Sequence, residues 1–208
     1  MNILIGMETS GKIREAFRAK GHNSWSCDLL PSDDNSKYHY QDDIYNTLNK
    51  CPDCFDLIIM HPTCTKLCVS GNHVYAEGKP RQNERLEAIR YTEHLWIFCK
   101  MHCKKVCFEN PVGVLSTKSI LPKPQYIQPY QFGEDASKKT GLFLHGLPKL
   151  KPTKRIRGRI YLANGKQYER WSNQTDSGQN KLAPSKDRWK LRSETYQGIA
   201  DAMANQWG

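Results

Sequence analysis

Two short segments carry side chains that could act together on one substrate. Asp56-Leu57-Ile58-Ile59-Met60-His61-Pro62-Thr63-Cys64-Thr65 sets a thiol two residues beyond a proline, just past an apolar run. Phe108-Glu109-Asn110-Pro111 sets a carboxyl group just past another. A cysteine on such a turn can be an exposed, activated thiol, and the thiolate is the nucleophilic form. A thiolate can add to carbon 6 of a pyrimidine while an acid holds or protonates ring nitrogen 3. Carbon 5 then becomes enamine-like and can accept an alkyl group. A lone cysteine would more commonly be a buried structural thiol; the carboxyl group at a matching position favours the reactive reading.

A third segment, Gly6-Met7-Glu8-Thr9-Ser10-Gly11, is a small-residue turn between an apolar run and a helical pattern. Such a turn lets a cofactor approach the backbone and a helix amino terminus. Asp28, past the next apolar run, suits a ribose diol because a carboxylate accepts two hydrogen bonds. An ordinary strand-to-helix turn fits the same residues.

The elements that must position these groups alternate. Asn2–Met7 reads as a strand, followed by a helix from Gly11 to Lys20 that Ser10 could cap and Gly21 ends. Asn23–Cys27 and Phe55–Met60 read as further strands. A helix over about 83–102 follows, with Leu86, Ile89, Leu95, Ile97 and Phe98 as its apolar residues, then a strand at Lys105–Phe108 broken by Pro111. Strands alternating with helices predict an α/β fold with a mostly parallel sheet. Later, strands are expected at Tyr126–Phe132 and Gly141–His145, a hairpin among loops within 148–193, and a last helix near Thr195–Gln206. The expected organisation is a catalytic domain over 1–148, a short irregular basic segment over 149–193, and a carboxy-terminal helix over 194–208 that returns to the catalytic domain.

The 208 residues can bury a sizeable core without staples. The start lacks a secretory leader pattern and no window is apolar enough to span a membrane, so a soluble, cytoplasmic protein is expected. Cys51-Pro-Asp-Cys54 has zinc-knuckle spacing but no second tight pair. The plainer expectation is eight reduced thiols, most of them buried, and no metal. The net charge of +10 is localised: residues 149–193 hold 13 Lys and Arg against 3 Asp and Glu, while 1–148 hold 18 against 16. Tyr161, Tyr168, Trp171 and Trp189 are interleaved with these cations. That pattern suits a phosphate backbone and exposed bases, although a basic loop can also serve solubility alone.

In this order the segments resemble the cytosine-5 DNA methyltransferases, in their compact bacteriophage and prophage versions. Pro62-Thr63-Cys64 is similar to that family's nucleophile loop, and Glu109-Asn110-Pro111 to its Glu-Asn strand end. Lys138-Lys139-Thr140 stands where the family has paired arginines, and Gly198-Ile199-Ala200-Asp201-Ala202-Met203-Ala204 resembles its last motif. Thr63, Pro111, Glu8 and Ser10 depart from the family's usual residues, and its separate target-recognition domain is absent. The resemblance implies a Rossmann-like fold, S-adenosylmethionine as cofactor, DNA as partner, and methyl transfer to carbon 5 of a flipped cytosine. It implies Cys64 as nucleophile, Glu109 on the Watson–Crick edge, and Lys139 on the base carbonyl or a phosphate. Glu8, Thr9, Ser10, Gly11, Asp28, Leu29 and Pro62 would line the cofactor, with Asp43, or Asp42, on the adenine amine. Lys138, Lys154, Arg155, Arg157 and Arg159 would contact nucleic acid. The alternatives are a catalytically inactive, nucleic-acid-binding scaffold, such as a phage decoy against host restriction, and an enzyme acting on RNA or nucleotides.

Overall fold

In the computed structural model, which describes residues 1–185 and 192–208, seven strands form one sheet. They are β1 (Asn2–Gly6), β2 (Asn23–Asp28), β3 (His39–Gln41), β4 (Leu57–Met60), β5 (Val106–Pro111), β6 (Gln125–Ile127) and β7 (Thr140–His145). Their order is β3-β2-β1-β4-β5-β7-β6. The first five run parallel, while β7 pairs antiparallel with both β5 and β6. β4 is Leu-Ile-Ile-Met, each residue fully buried, as expected of a central parallel strand covered on both faces. Burying each such side chain is worth about 1.5–3 kcal/mol.

Helices cover the two faces. α1 (Lys12–Ala19) and the last helix, α6 (Gln197–Trp207), pack together through Ile13, Phe17, Ile199, Met203 and Trp207. α2 (Ile44–Lys50) and α4 (Gln82–His102) cover the other face with Leu48, Ile89, Leu95, Trp96 and Cys99. Short helices α3 (Asn72–Tyr75) and α5 (Leu115–Lys118) follow the ends of β4 and β5. A separate hairpin, β8 (Arg159–Ala163) and β9 (Lys166–Arg170), lies in the basic segment. Among the described residues no helix is long and apolar enough to cross a membrane.

Several local expectations are corrected. Gly11, with φ 71°, occupies the N-cap of α1; the Ser10 hydroxyl donates to Glu8 and accepts only a long bond, 3.4 Å, from Lys12 N–H. Leu86 and Ile97 of α4 are exposed, and its buried face includes Arg85 and Thr92, both satisfied by backbone carbonyls. β5 runs through Pro111, because β7 still pairs with it there. The strand expected at Tyr126–Phe132 stops at Ile127, where Pro129 opens a single 3₁₀ turn. Cys51 and Cys54 form a disulfide rather than two reduced thiols, which also removes them as zinc ligands. Cys27, Cys99, Cys103 and Cys107 are buried free thiols, as expected.

Candidate active site

The strand order reverses between β1 and β4, and open α/β sheets bind ligands beyond the carboxyl ends of strands at such a point. The turn after β1 is built for close approach. A Cβ on Gly6 would lie 2.3 Å from Met60 Sδ and 2.9 Å from Ile44 Cδ1. Met7 holds a left-handed φ of 59°, which costs a non-glycine residue about 1–2 kcal/mol. Fully buried Arg14 supports the turn from beneath Gly11, donating to Ser26 Oγ (2.7 Å), to the Asp34 carboxylate and to Glu15 (2.9 Å). The loop after β2 folds back on the turn: Asp33 N–H donates to Thr9 O (2.9 Å), and Thr9 Oγ1 to Asp33 Oδ2 (3.1 Å).

This cradle passes a physical test for a cofactor with a cationic amino group. Glu8 is only 7% exposed; Oε1 accepts from Ser10, but Oε2 is buried without a partner. A buried acceptor left unpaired costs about 1–3 kcal/mol, which a bound ammonium would relieve. Asp28 stands at the end of β2 with one oxygen taken by Leu30 N–H (2.9 Å), beside strongly exposed Leu29. Asp43 caps α2 through Tyr45 N–H (2.8 Å). Asp42 is engaged by Lys50 (2.7 Å), Asn46 (3.1 Å) and Asp43 N–H (2.8 Å), so Asp43 is the better placed of the two.

The thiol loop is fixed from three sides. Asn110, 1% exposed, donates from Nδ2 to Pro62 O (2.7 Å) and so ties the end of β5 to the turn after β4. Arg85 reaches from α4 to donate to Lys66 O (2.6 Å), Cys68 O (3.3 Å) and Asn72 Oδ1 (2.8 Å). Gly113 lets two backbones touch: a Cβ there would sit 2.1 Å from Leu67 O. Neither Arg85 nor Gly113 was singled out from the sequence, since nothing in the spacing marks an arginine as buried or a glycine as a contact.

The electrostatics of the site divide its groups. Cys64 and Cys68 share a hydrogen bond, so the two thiols ionise as a pair. Cys68 is the more acidic partner, lowered by hydrogen bonds from Cys64, from Ser70 and from the Ser70 and Gly71 N–H groups. Cys64 is pushed up by its hydrogen bond to Cys68, by burial and by nearby Glu109, with Lys138 acting in the opposite sense. Burial pushes Glu109 up, yet the His61 hydrogen bond, the charges of Lys138 and His61, and a Thr140 hydrogen bond outweigh it, leaving the carboxyl below its ordinary range. Lys138 is therefore the lysine whose charge acts on both Cys64 and Glu109. Lys139, expected there from the resemblance, lies over the Tyr126 ring at 4.6 Å.

Lys154, Arg155, Arg157 and Arg159 are all exposed. Arg155 pairs with Glu169 and sits 5.1 Å over Tyr130, which stacks on Trp171 at 3.9 Å; Arg159 pairs with Asp176 at 2.5 Å. Tyr161 faces Tyr168 across the hairpin, and Trp189 lies outside the described residues.

The strand order with an antiparallel β7 is that of a Rossmann-like methyltransferase fold. Among solved structures, the chain is similar to the Entamoeba histolytica methyltransferase EhMeth: 13% identity and TM-score 0.50, covering 76% of this chain and 58% of that one. A DNA modification methyltransferase encoded within an E. coli prophage aligns at 12% identity and TM-score 0.49, over 75% and 52%. The chain thus spans just over half the length of either structure. No family model and no curated protein matches the sequence.

Proposed function

We propose that this protein methylates carbon 5 of cytosine in DNA, using S-adenosylmethionine. The observation that carries this is the joining of two strand ends: Asn110 binds Pro62 O, bringing the Cys64 loop and Glu109 to one edge beside the Glu8 turn. S-adenosylmethionine, when bound, would supply an electrophilic methyl group. Glu8 would hold its amino group, Asp28 its ribose and Asp43 its adenine, with Thr9, Ser10, Gly11, Leu29 and Pro62 shaping the cavity. Cys64 attacks carbon 6 of a base extruded from the duplex, because that atom is unreachable within a stacked helix. Glu109 serves ring nitrogen 3, and Lys138 takes the role expected of Lys139. Cys64 attacks as its thiolate, the nucleophilic form of a cysteine. Residues 149–193 bind the DNA backbone through their cations.

An oligonucleotide carrying 5-fluorocytosine tests the chemistry, since the enzyme cannot eliminate from carbon 5 after methyl transfer. With cofactor present, wild type and Cys68→Ala should give a covalent band on a denaturing gel, and Cys64→Ala none. A band that vanishes in Cys68→Ala and persists in Cys64→Ala would transfer the nucleophile to Cys68. Methylation by Cys64→Ala would end the covalent mechanism.

A further inference from the structure

His61 ends the run of β4 and lies beside Glu109, its side chain 11% exposed. Ring Nδ1 meets Glu109 Oε2 at 3.2 Å, while Nε2 is buried without any partner. His39 shows what a structural histidine looks like in this fold. Its Nδ1 meets Ser26 Oγ at 2.8 Å and its Nε2 meets Leu30 O at 2.9 Å, so both nitrogens are committed. His61 is committed on one side only, and that side is the proposed acid. Nothing among the described residues fixes a proton on, or off, its second nitrogen.

The proposed chemistry has a proton deficit at this point. Ring nitrogen 3 of cytosine must gain a proton, or a strong donor, as sulfur bonds to carbon 6. Glu109 is held as a carboxylate by its neighbours and has no proton to give. Lys138 acts on it through its charge, while its ammonium group donates to Glu194 O (3.1 Å) and Ser193 O (3.4 Å). The titratable donor in hydrogen-bond contact with Glu109 is His61.

We infer, building on the cytosine-5 reading above, that His61 is a positioning residue for the reacting proton, which it stores and delivers to the substrate through Glu109. In the proton-loaded pair, His61 donates through Nδ1 to the Glu109 carboxylate. As the base enters, this proton passes to Glu109, leaving neutral imidazole and a carboxylic acid. The Cys64 thiolate then forms its bond to carbon 6. The carbon 5–carbon 6 π pair moves to join carbons 4 and 5, and the carbon 4–nitrogen 3 π pair moves onto nitrogen 3. Nitrogen 3 takes the proton from Glu109, so adduct and carboxylate are formed together. After methyl transfer, solvent water takes the carbon 5 proton, the freed electron pair joins carbons 5 and 6 and expels the Cys64 thiolate, and nitrogen 3 returns its own proton through Glu109 to His61. No oxidant is needed. The titratable and charged groups facing the pair among the described residues are Glu109 on β5, Lys138 ahead of β7, and the Cys64–Cys68 thiols on the loop that continues from His61.

Single-turnover adduct formation on the 5-fluorocytosine oligonucleotide, followed across pH, tests the inference in the whole protein. In wild type the rate should fall as pH rises. His61→Gln keeps a hydrogen bond but stores no proton. Its rate at neutral pH should drop about 10–100-fold, within the usual range for general acid–base effects, and recover as acid protonates Glu109 directly. A second readout requires no turnover. Removing the carboxylate in Glu109→Gln should lower the pH midpoint of the His61 ring signals in the NMR spectrum of the free protein. An unchanged pH profile in His61→Gln, or one merely scaled down at every pH, overturns the inference and leaves the cytosine reading intact. So does a His61 midpoint indifferent to Glu109→Gln. Absence of any wild-type adduct removes both.

Discussion

At Glu8, one carboxyl oxygen is buried with no donor, so the free protein bears a desolvation cost that a bound ammonium relieves. Glu8→Gln keeps the shape and removes the charge. Calorimetry should show S-adenosylmethionine binding weakened about 10–100-fold, since a hydrogen bond to a charged group is worth about 1.5–3 kcal/mol. The melting temperature of the free protein should not fall. Unchanged affinity would dismiss Glu8 as a ligand. The two lysines give a paired test. Lys138→Ala should slow adduct formation and let Glu109 titrate higher, because a charge acting on both Glu109 and Cys64 is lost. Lys139→Ala should leave the rate within about twofold, its ammonium being spent on Tyr126. Both lysines precede β7, and Lys138 is the one whose charge acts on Glu109 and Cys64. The resemblance implied a cation at this pair of positions; choosing between the neighbours needed the folded loop, where Lys139 lies over Tyr126.

Among elements, those with long apolar patterns were legible. β1, α1, β2, β4, α4, β5, β7 and α6 all fall within a few residues of their expected places. What escaped is short or polar: β3 is three residues, His-Tyr-Gln, and α2 has the polar stretch Asn46-Thr47 within it. α4 was found, but its apolar residues do not by themselves mark its buried face: Leu86 and Ile97 are exposed, while Arg85 and Thr92 are buried polar residues whose hydrogen bonds close inside the protein. Contacts between loops were wholly hidden, and Gly113 is the clearest instance. Val69 N–H donates to Val112 O (3.0 Å), and Val114 N–H to Leu67 O (2.9 Å), on either side of it. Gly113→Ala must push the thiol loop from the end of β5. Adduct formation should fall on the order of 100-fold, as expected for a displacement near 1 Å, while cofactor binding stays within about twofold. A variant with wild-type rates would show that the spacing between these loops is not critical.

At the scale of the whole molecule, the excess charge sits in one segment whose cations are unequally available. Arg155 and Arg159 are paired with Glu169 and Asp176, whereas among the described residues Lys154 and Arg157 have no side-chain partner. Each phosphate neutralised on duplex DNA contributes about 0.9 to the slope of log affinity against log salt. Replacing all four residues with alanine should flatten that slope, and Lys154→Ala with Arg157→Ala should account for most of the change. A slope that does not move would assign the segment to solubility. The helices that cover one face of the sheet come from opposite ends of the described chain: α6 lies on α1, and Lys12 meets Glu194 at 2.8 Å across 182 residues. During synthesis at roughly 5–20 residues per second, α1 therefore waits on the order of ten to forty seconds for its cover. In that interval the sides of Ile13 and Phe17 that face α6 are bare, although β1 and the Arg14 hydrogen bonds already hold the helix to the sheet. A growing polypeptide should accordingly need shielding of that face until residues 197–207 have left the ribosome.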